Sequence, residues 1–212
     1  MVSTPELIYK YFPDLTEQQR SQYAALDKLY RALNEKINVI SRKDIDALYL
    51  HHVLHSLSVA KYIQFKAGTI VVDVGTGGGF PGIPLAILFP EVRFYMIDGR
   101  AKKISVVNEV IKRLDLKNAA AQHQRSEELS GEFDFVLARA VTRLDKLIPL
   151  TMHLISNDQQ NAIPNGLITL KGGELKEELN EVKPKFSVEE RAISDYFEEP
   201  YFETKKIVYV QA

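Results

Sequence analysis

The residues of this chain best placed to do chemistry lie between Val71 and Gly82. There Val71-Val72-Asp73-Val74 runs into Gly75-Thr76-Gly77-Gly78-Gly79, four glycines within five residues, and on into Phe80-Pro81-Gly82. Glycine has no side chain, so the backbone can turn sharply and come close to a ligand. A helix beginning after the loop would add free N–H groups at its N-terminus. In open parallel sheets ligands sit at the carboxyl ends of strands, which is where this loop falls.

Two cofactor classes suit such a loop, a dinucleotide and S-adenosylmethionine. The dinucleotide fingerprint needs G-x-G-x-x-G directly after the strand. Counted from Gly75 the last position is Phe80, which fails; Gly77, Gly79 and Gly82 fit, but two residues late. The register that follows the strand directly is Gly75, Gly77, Gly79, and this G-x-G-x-G resembles the first motif of class I methyltransferases. Asp73 before it suits a carboxylate that orients the amino-acid end of the cofactor. Asp98, 25 residues further on, closes the next expected strand and can accept hydrogen bonds from both ribose hydroxyls. Both cofactor classes use such a carboxylate, so Asp98 indicates a nucleoside without choosing between them.

Other candidates are cationic or aromatic. Arg139 follows an expected fourth strand and can hold a phosphate or stack on a base. Arg143 would extend it into a basic patch if the turn between them is helical. Lys171 follows a fifth strand and, like Arg42 and Lys43, is a candidate contact to a nucleic-acid backbone. Lys102, Lys103, Lys112 and Arg113 decorate one expected helix and read as a solvated face. His51, His52 and His55 lack a carboxylate or cysteine at matching spacing, so no metal site is expected and His52 is assigned a packing or hydrogen-bonding role. Tyr196, Phe197, Tyr201 and Phe202 are read as cover for the sheet rather than as stacking platforms.

The elements that must position these groups fall into two regimes. Up to about residue 63 the spacing is helical: Leu26, Leu29, Tyr30 and Leu33 share a face, with Thr16 and Gln19 as a capping box. A second helix is expected over 44–63. Beyond Gly68 short apolar runs alternate with helical stretches, with strands at 70–74, 93–97, 119–123, 133–138, 166–170, 188–193 and 207–211. This rhythm implies a doubly wound, mostly parallel α/β sheet of seven strands with an antiparallel last strand. Residues 1–64 read as an N-terminal helical extension and 65–212 as the cofactor-binding core.

With 212 residues, 45% of them hydrophobic, the chain suits one domain plus an extension. It has no cysteines, which removes disulfides and thiolate chemistry. No apolar run approaches a membrane span, and Met1–Tyr11 lacks a signal pattern, so a soluble cytoplasmic monomer is expected. The net charge of −1 gives no support to nucleic-acid binding, so any RNA must be met by local patches.

Several stretches together resemble the small-subunit ribosomal RNA methyltransferase G family: Asn38-Val39-Ile40-Ser41-Arg42, His52-Val53-Leu54-His55-Ser56-Leu57, the glycine loop with its Phe80-Pro81-Gly82-Ile83-Pro84 tail, Lys102-Lys103, Arg125-Ser126-Glu127-Glu128, Ala138-Arg139-Ala140-Val141 and Leu170-Lys171-Gly172. Order and spacing hold from about residue 34 to 173. The resemblance implies a Rossmann-like class I methyltransferase that moves a methyl group from S-adenosylmethionine to N7 of one guanine in bacterial 16S ribosomal RNA, acting on the RNA or the small ribosomal subunit. It implies cofactor contacts from Gly75 and Phe80, adenine contacts from Ser126 and Glu127, and Arg139 facing the site as the catalytic candidate. The family often carries Asp where this chain has His55, and Ala where it has Ser126. Guanine N7 already holds an exposed lone pair, which explains why the chain shows no Ser/His/Asp constellation. The alternatives are a methyltransferase of a small molecule or protein on the same fold, an NAD-dependent oxidoreductase, and a non-enzymatic ribosome factor.

Overall fold

The computed structural model describes residues 3–212. Seven strands form one sheet: β1 (Ile70–Val74), β2 (Arg93–Asp98), β3 (Ala119–His123), β4 (Phe135–Arg139), β5 (Gly166–Gly172), β6 (Val188–Ala192) and β7 (Lys205–Gln211). Their order is β3-β2-β1-β4-β5-β7-β6. The first five run parallel, whereas β7 is antiparallel to both β5 and β6. The chain winds outward from β1 in one direction through β2 and β3, then returns to β4 on the other side. That reversal opens a crevice at the carboxyl ends of β1 and β4.

Alternation along β1 divides the core. Val71 belongs to a cluster with Leu26, Tyr30, Leu57, Ile83 and Val107, drawn from α2 (Glu17–Asn34), α3 (His55–Tyr62), α4 (Gly82–Leu88) and α5 (Ala101–Arg113). Val72 and Val74 belong to the other cluster, with Leu147 and Leu179 from α6 (Leu144–Thr151) and α7 (Lys176–Val182). The sheet is therefore covered on both faces, as the strand–helix rhythm implies.

The extension packs on the α4–α5 face. The short α1 (Glu6–Tyr11) precedes α2, whose N-terminus carries the expected capping box: the Thr16 side chain accepts from the Gln19 N–H, and the Gln19 side chain returns to the Thr16 backbone. Gln19 Nε2 also donates to the carbonyls of Ile87 and Leu88, both at 3.0 Å, tying α2 to the end of α4. Two fully buried tyrosines tie α2 further, to α4 and to the glycine loop. Tyr23 donates to Pro84 O at 2.8 Å and Tyr30 to Gly78 O at 2.6 Å. Each buries a large ring while keeping its polar tip bonded.

The expected single helix over 44–63 is three segments: a 3-10 turn Ile45–Ala47, a π-helix Leu48–Leu54 and α3. Apolar spacing does not separate these windings over so short a stretch. What marks this segment out is the polar work done by Asp44, His51 and His52 at its edge.

Candidate active site

The loop after β1 is organised from within. Asp73 is fully buried and its Oδ2 accepts from Thr76 Oγ1 at 2.6 Å and from the Gly82 N–H at 2.9 Å. It therefore clamps the two ends of the glycine loop. Asp73 alternates with Val72 and Val74 and points, like Val71, beneath α4. Burial pushes its carboxyl up to about 6, against the hydrogen bonds from Thr76 and Gly82.

Gly77 has φ +62°, and its N–H donates to Asp98 Oδ2 at 3.0 Å, so the left-handed turn brings loop and β2 end together. Asp98 Oδ1 accepts from the Arg100 N–H at 2.9 Å, and Lys103 Nζ lies 3.8 Å from Oδ2. Two carboxylate oxygens offer about four acceptor positions, so Asp98 keeps capacity for ribose hydroxyls. Gly79 works differently: a Cβ there would lie 2.6 Å from Ile83 Cγ1 and 3.2 Å from the Tyr30 hydroxyl. It is a close-packing glycine facing the extension, not the crevice.

The crevice is a cavity of about 700 Å³, lined among others by Gly75, Gly77, Phe80, Lys103, Arg139 and Tyr201. Gly75, Gly77, Phe80 and Arg139 thus converge as expected. Ser126 and Glu127 stand in a 3-10 turn after β3 and are not part of this wall; Ser126 Oγ donates to Glu127 Oε2 at 3.0 Å. A glycine-lined backbone, a carboxylate at the end of β2 and a cation at the end of β4 suit S-adenosylmethionine, with its ribose hydroxyls and anionic amino-acid end.

Arg139 is the most unusual group in the wall. Its Nη1 donates to His51 O at 3.0 Å and its Nη2 to His52 Nδ1 at 2.9 Å, while its guanidinium lies 5.4 Å from the centre of the Phe80 ring. Among the described residues no carboxylate forms an ion pair with it. Burial lowers its pKa from the ordinary arginine value, but arginine stays cationic in proteins.

The other candidate cations are largely neutralised. Lys171 Nζ donates to Thr142 O at 2.7 Å and to Glu178 Oε1 at 2.6 Å, so it lines the cavity as half of an ion pair rather than as a free phosphate ligand. Arg143 pairs with Asp145 and Glu181. The turn between Arg139 and Arg143 is not helical: Ala140 has φ +56° and Arg143 is the extended residue before α6. The expected i,i+4 patch therefore does not form. Arg42 is exposed in the loop before the 3-10 turn.

Four cavity residues take places that sequence reasoning did not give them. Lys103 turns inward from α5, although it sits in the Lys102-Lys103 pair first read as solvated. Tyr201 lines the cavity and stacks on His51, with ring centres 4.0 Å apart and planes 18° from parallel. Its neighbours Phe197 and Phe202 are buried cover, as expected. Lys205 Nζ stands 4.9 Å from the Tyr201 ring centre. Asp44 receives His51 Nδ1 and His52 Nε2, both at 2.5 Å. Its spacing of seven and eight residues from the two histidines was the available signal.

Comparison with known proteins agrees with this geometry. A profile of the family described as rRNA small subunit methyltransferase G matches residues 17–198. A protein named ribosomal RNA small subunit methyltransferase G from Bacteroides thetaiotaomicron is 58% identical over 206 residues, covering 97% of this chain and 99% of that one. One of the same name from Flavobacterium johnsoniae is 52% identical, covering 96% of each chain. Among solved structures, a SAM-dependent methyltransferase from Aquifex aeolicus superposes with a TM-score of 0.57 at 18% identity, covering 81% of this chain and 98% of that one. Magnesium protoporphyrin IX methyltransferase from Synechocystis, solved with bound SAM, also gives 0.57, at 16% identity and 94% and 99% coverage. These two matches support the fold; the relatives and the profile go further. The chain belongs to the rRNA small subunit methyltransferase G family, and with it to the S-adenosylmethionine-dependent methyltransferases.

Proposed function

We propose that this protein methylates N7 of one guanine in 16S ribosomal RNA, acting as a cytoplasmic monomer. In this reading residues 1–64 form the helical extension and 65–212 the cofactor-binding core. The observation that carries it is the convergence of the glycine loop and Arg139 on one cavity, with Asp98 tied to that loop through the Gly77 N–H, in a chain whose relatives share its length and bear the family's name.

Bound S-adenosylmethionine supplies an activated methyl group on a sulfonium. Guanine N7 needs no proton removed before attack, so the protein's task is alignment and exclusion of water. In the proposed arrangement the loop from Gly75 to Phe80 receives the cofactor and Asp98 takes the ribose. Ser126 and Glu127 flank the adenine side. Arg139 meets an anionic group of the cofactor or of the target nucleotide. Tyr201, already stacked on His51, offers a ring face to a base. Arg42, Arg143 and Lys171 remain the proposed RNA-side cations, with Lys171 dependent on release from Glu178.

The test uses tritiated S-adenosylmethionine and small ribosomal subunits that lack this modification. The expected result is label at a single 16S position, recovered as 7-methylguanine. Label in another base, or in protein, would overturn the reading. So would absence of label while adenosylhomocysteine binds tightly.

A further inference from the structure

The half-buried Arg139 guanidinium is held without a carboxylate against it, which is a costly way to withdraw a charge from water. Its two anchors are a backbone carbonyl and a ring nitrogen. Arginine has no hydrogen-bond acceptor, so His52 Nδ1 must accept and the ring proton must sit on Nε2. That N–H faces Asp44 Oδ2, with Nε2 and Oδ2 2.5 Å apart, and the second Asp44 oxygen faces His51 Nδ1. The order of groups is therefore Asp44, the His52 ring, then Arg139. A protonated His52 would set one donor against another and one cation against another.

Three separate segments meet here: the loop at Asp44, the π-helix carrying His51 and His52, and the end of β4. In an α-helix neighbouring residues diverge by about 100°. Here two consecutive side chains reach one carboxylate while the carbonyl of the first points at Arg139. A π-helix in such a place commonly marks a functional site. Phe80 closes the arrangement from the glycine loop, with its ring 5.1 Å from His52 and 5.4 Å from Arg139. His55 adds no counter-charge. Its Nε2 is buried without a partner, and burial together with the charges of Arg139 and Lys205 holds it neutral.

We propose that Asp44 and His52 are positioning residues: Asp44 selects one tautomer of the His52 ring, and that ring aims Arg139 at an oxyanion in the cavity. The oxyanion is the cofactor's carboxylate or a phosphate of the target nucleotide. This rests on the proposed role of Arg139 and adds the device that sets its direction. An ion pair with a carboxylate would cancel the charge Arg139 presents; a neutral acceptor orients it and leaves the charge available.

The test is a double-mutant cycle on the full chain. Adenosylhomocysteine affinity is read by calorimetry, and kcat and KM by methyl transfer to small subunits lacking the modification. His52→Ala is expected to weaken affinity or kcat/KM by about tenfold or more, the weight of a hydrogen bond to a charged group. His52→Gln recovers most of this, because its amide can accept from Arg139 and donate to Asp44. In an Arg139→Ala background neither His52→Ala nor Asp44→Asn costs anything further. A loss in adenosylhomocysteine affinity assigns the oxyanion to the cofactor; a loss confined to the RNA substrate's KM or to kcat assigns it to the nucleotide. Losses that multiply across the cycle, a Gln variant as poor as Ala, or a His52→Ala protein with unchanged constants would overturn the relay. The wild-type assay run in parallel separates the two claims. If wild type fails to methylate, the proposed function falls, while adenosylhomocysteine affinity reads the relay toward the cofactor's carboxylate, and an affinity unchanged in His52→Ala then overturns it.

Discussion

At Arg139 the balance of charge turns on the protonation of its neighbours. His52 is held at about 4 by burial and by the Arg139 charge, with Asp44 pulling the other way. The unfolded chain takes up that proton near the ordinary histidine value, so the folded state loses stability as pH falls from about 6.5 towards 4. His55, also depressed, acts in the same direction. Asp73, raised to about 6, acts in the opposite one, because protonation relieves its burial. His52→Gln removes the first contribution, together with the share of the Asp44 and His55 shifts that His52 supplies. Urea denaturation at pH 7 and at pH 4.5 should show wild type losing about 2 kcal/mol more than the variant. Equal losses would mean that His52 is not held neutral.

The elements around the site were legible to different degrees. Strong period-2 and continuous apolar runs marked β1, β2 and β5, and the capping box marked α2. Asp98 was readable because its place at a strand end is local information. The π-helix was not, since its apolar face resembles that of an α-helix. Nor was the Arg139–His52 contact, which joins residues 87 apart through the docking of the extension on the core. The same docking explains why position 79 takes glycine, since a side chain there would meet Ile83 and the Tyr30 hydroxyl. Gly79→Ala would drive a Cβ into Ile83 at a backbone φ of +95°. Its expected cost is about 1–3 kcal/mol by chemical denaturation, the range for overpacking a filled core. An unchanged midpoint would show that the loop relaxes freely away from α4 and the extension.

Across the whole molecule, near-neutral charge and a polyanionic substrate have to be reconciled. The net charge of −1 averages over pairs such as Lys171–Glu178 and Arg143–Glu181, which quiet cations that a sequence count treats as free. No described helix is long and apolar enough to cross a membrane. The N-terminal helices and the sheet share one apolar cluster, so the described segment before β1 helps to build the cavity wall through Asp44, His51 and His52 as well as to cover the sheet. The fold thus concentrates on holding one half-buried, carboxylate-free guanidinium at the end of β4. The most direct measurement is kcat/KM for methyl transfer to unmodified small subunits by Arg139→Ala, with folding checked by its thermal transition. A loss of about tenfold or more in a folded protein is the predicted result. Wild-type transfer by that variant would contradict the placement of Arg139 at the chemistry.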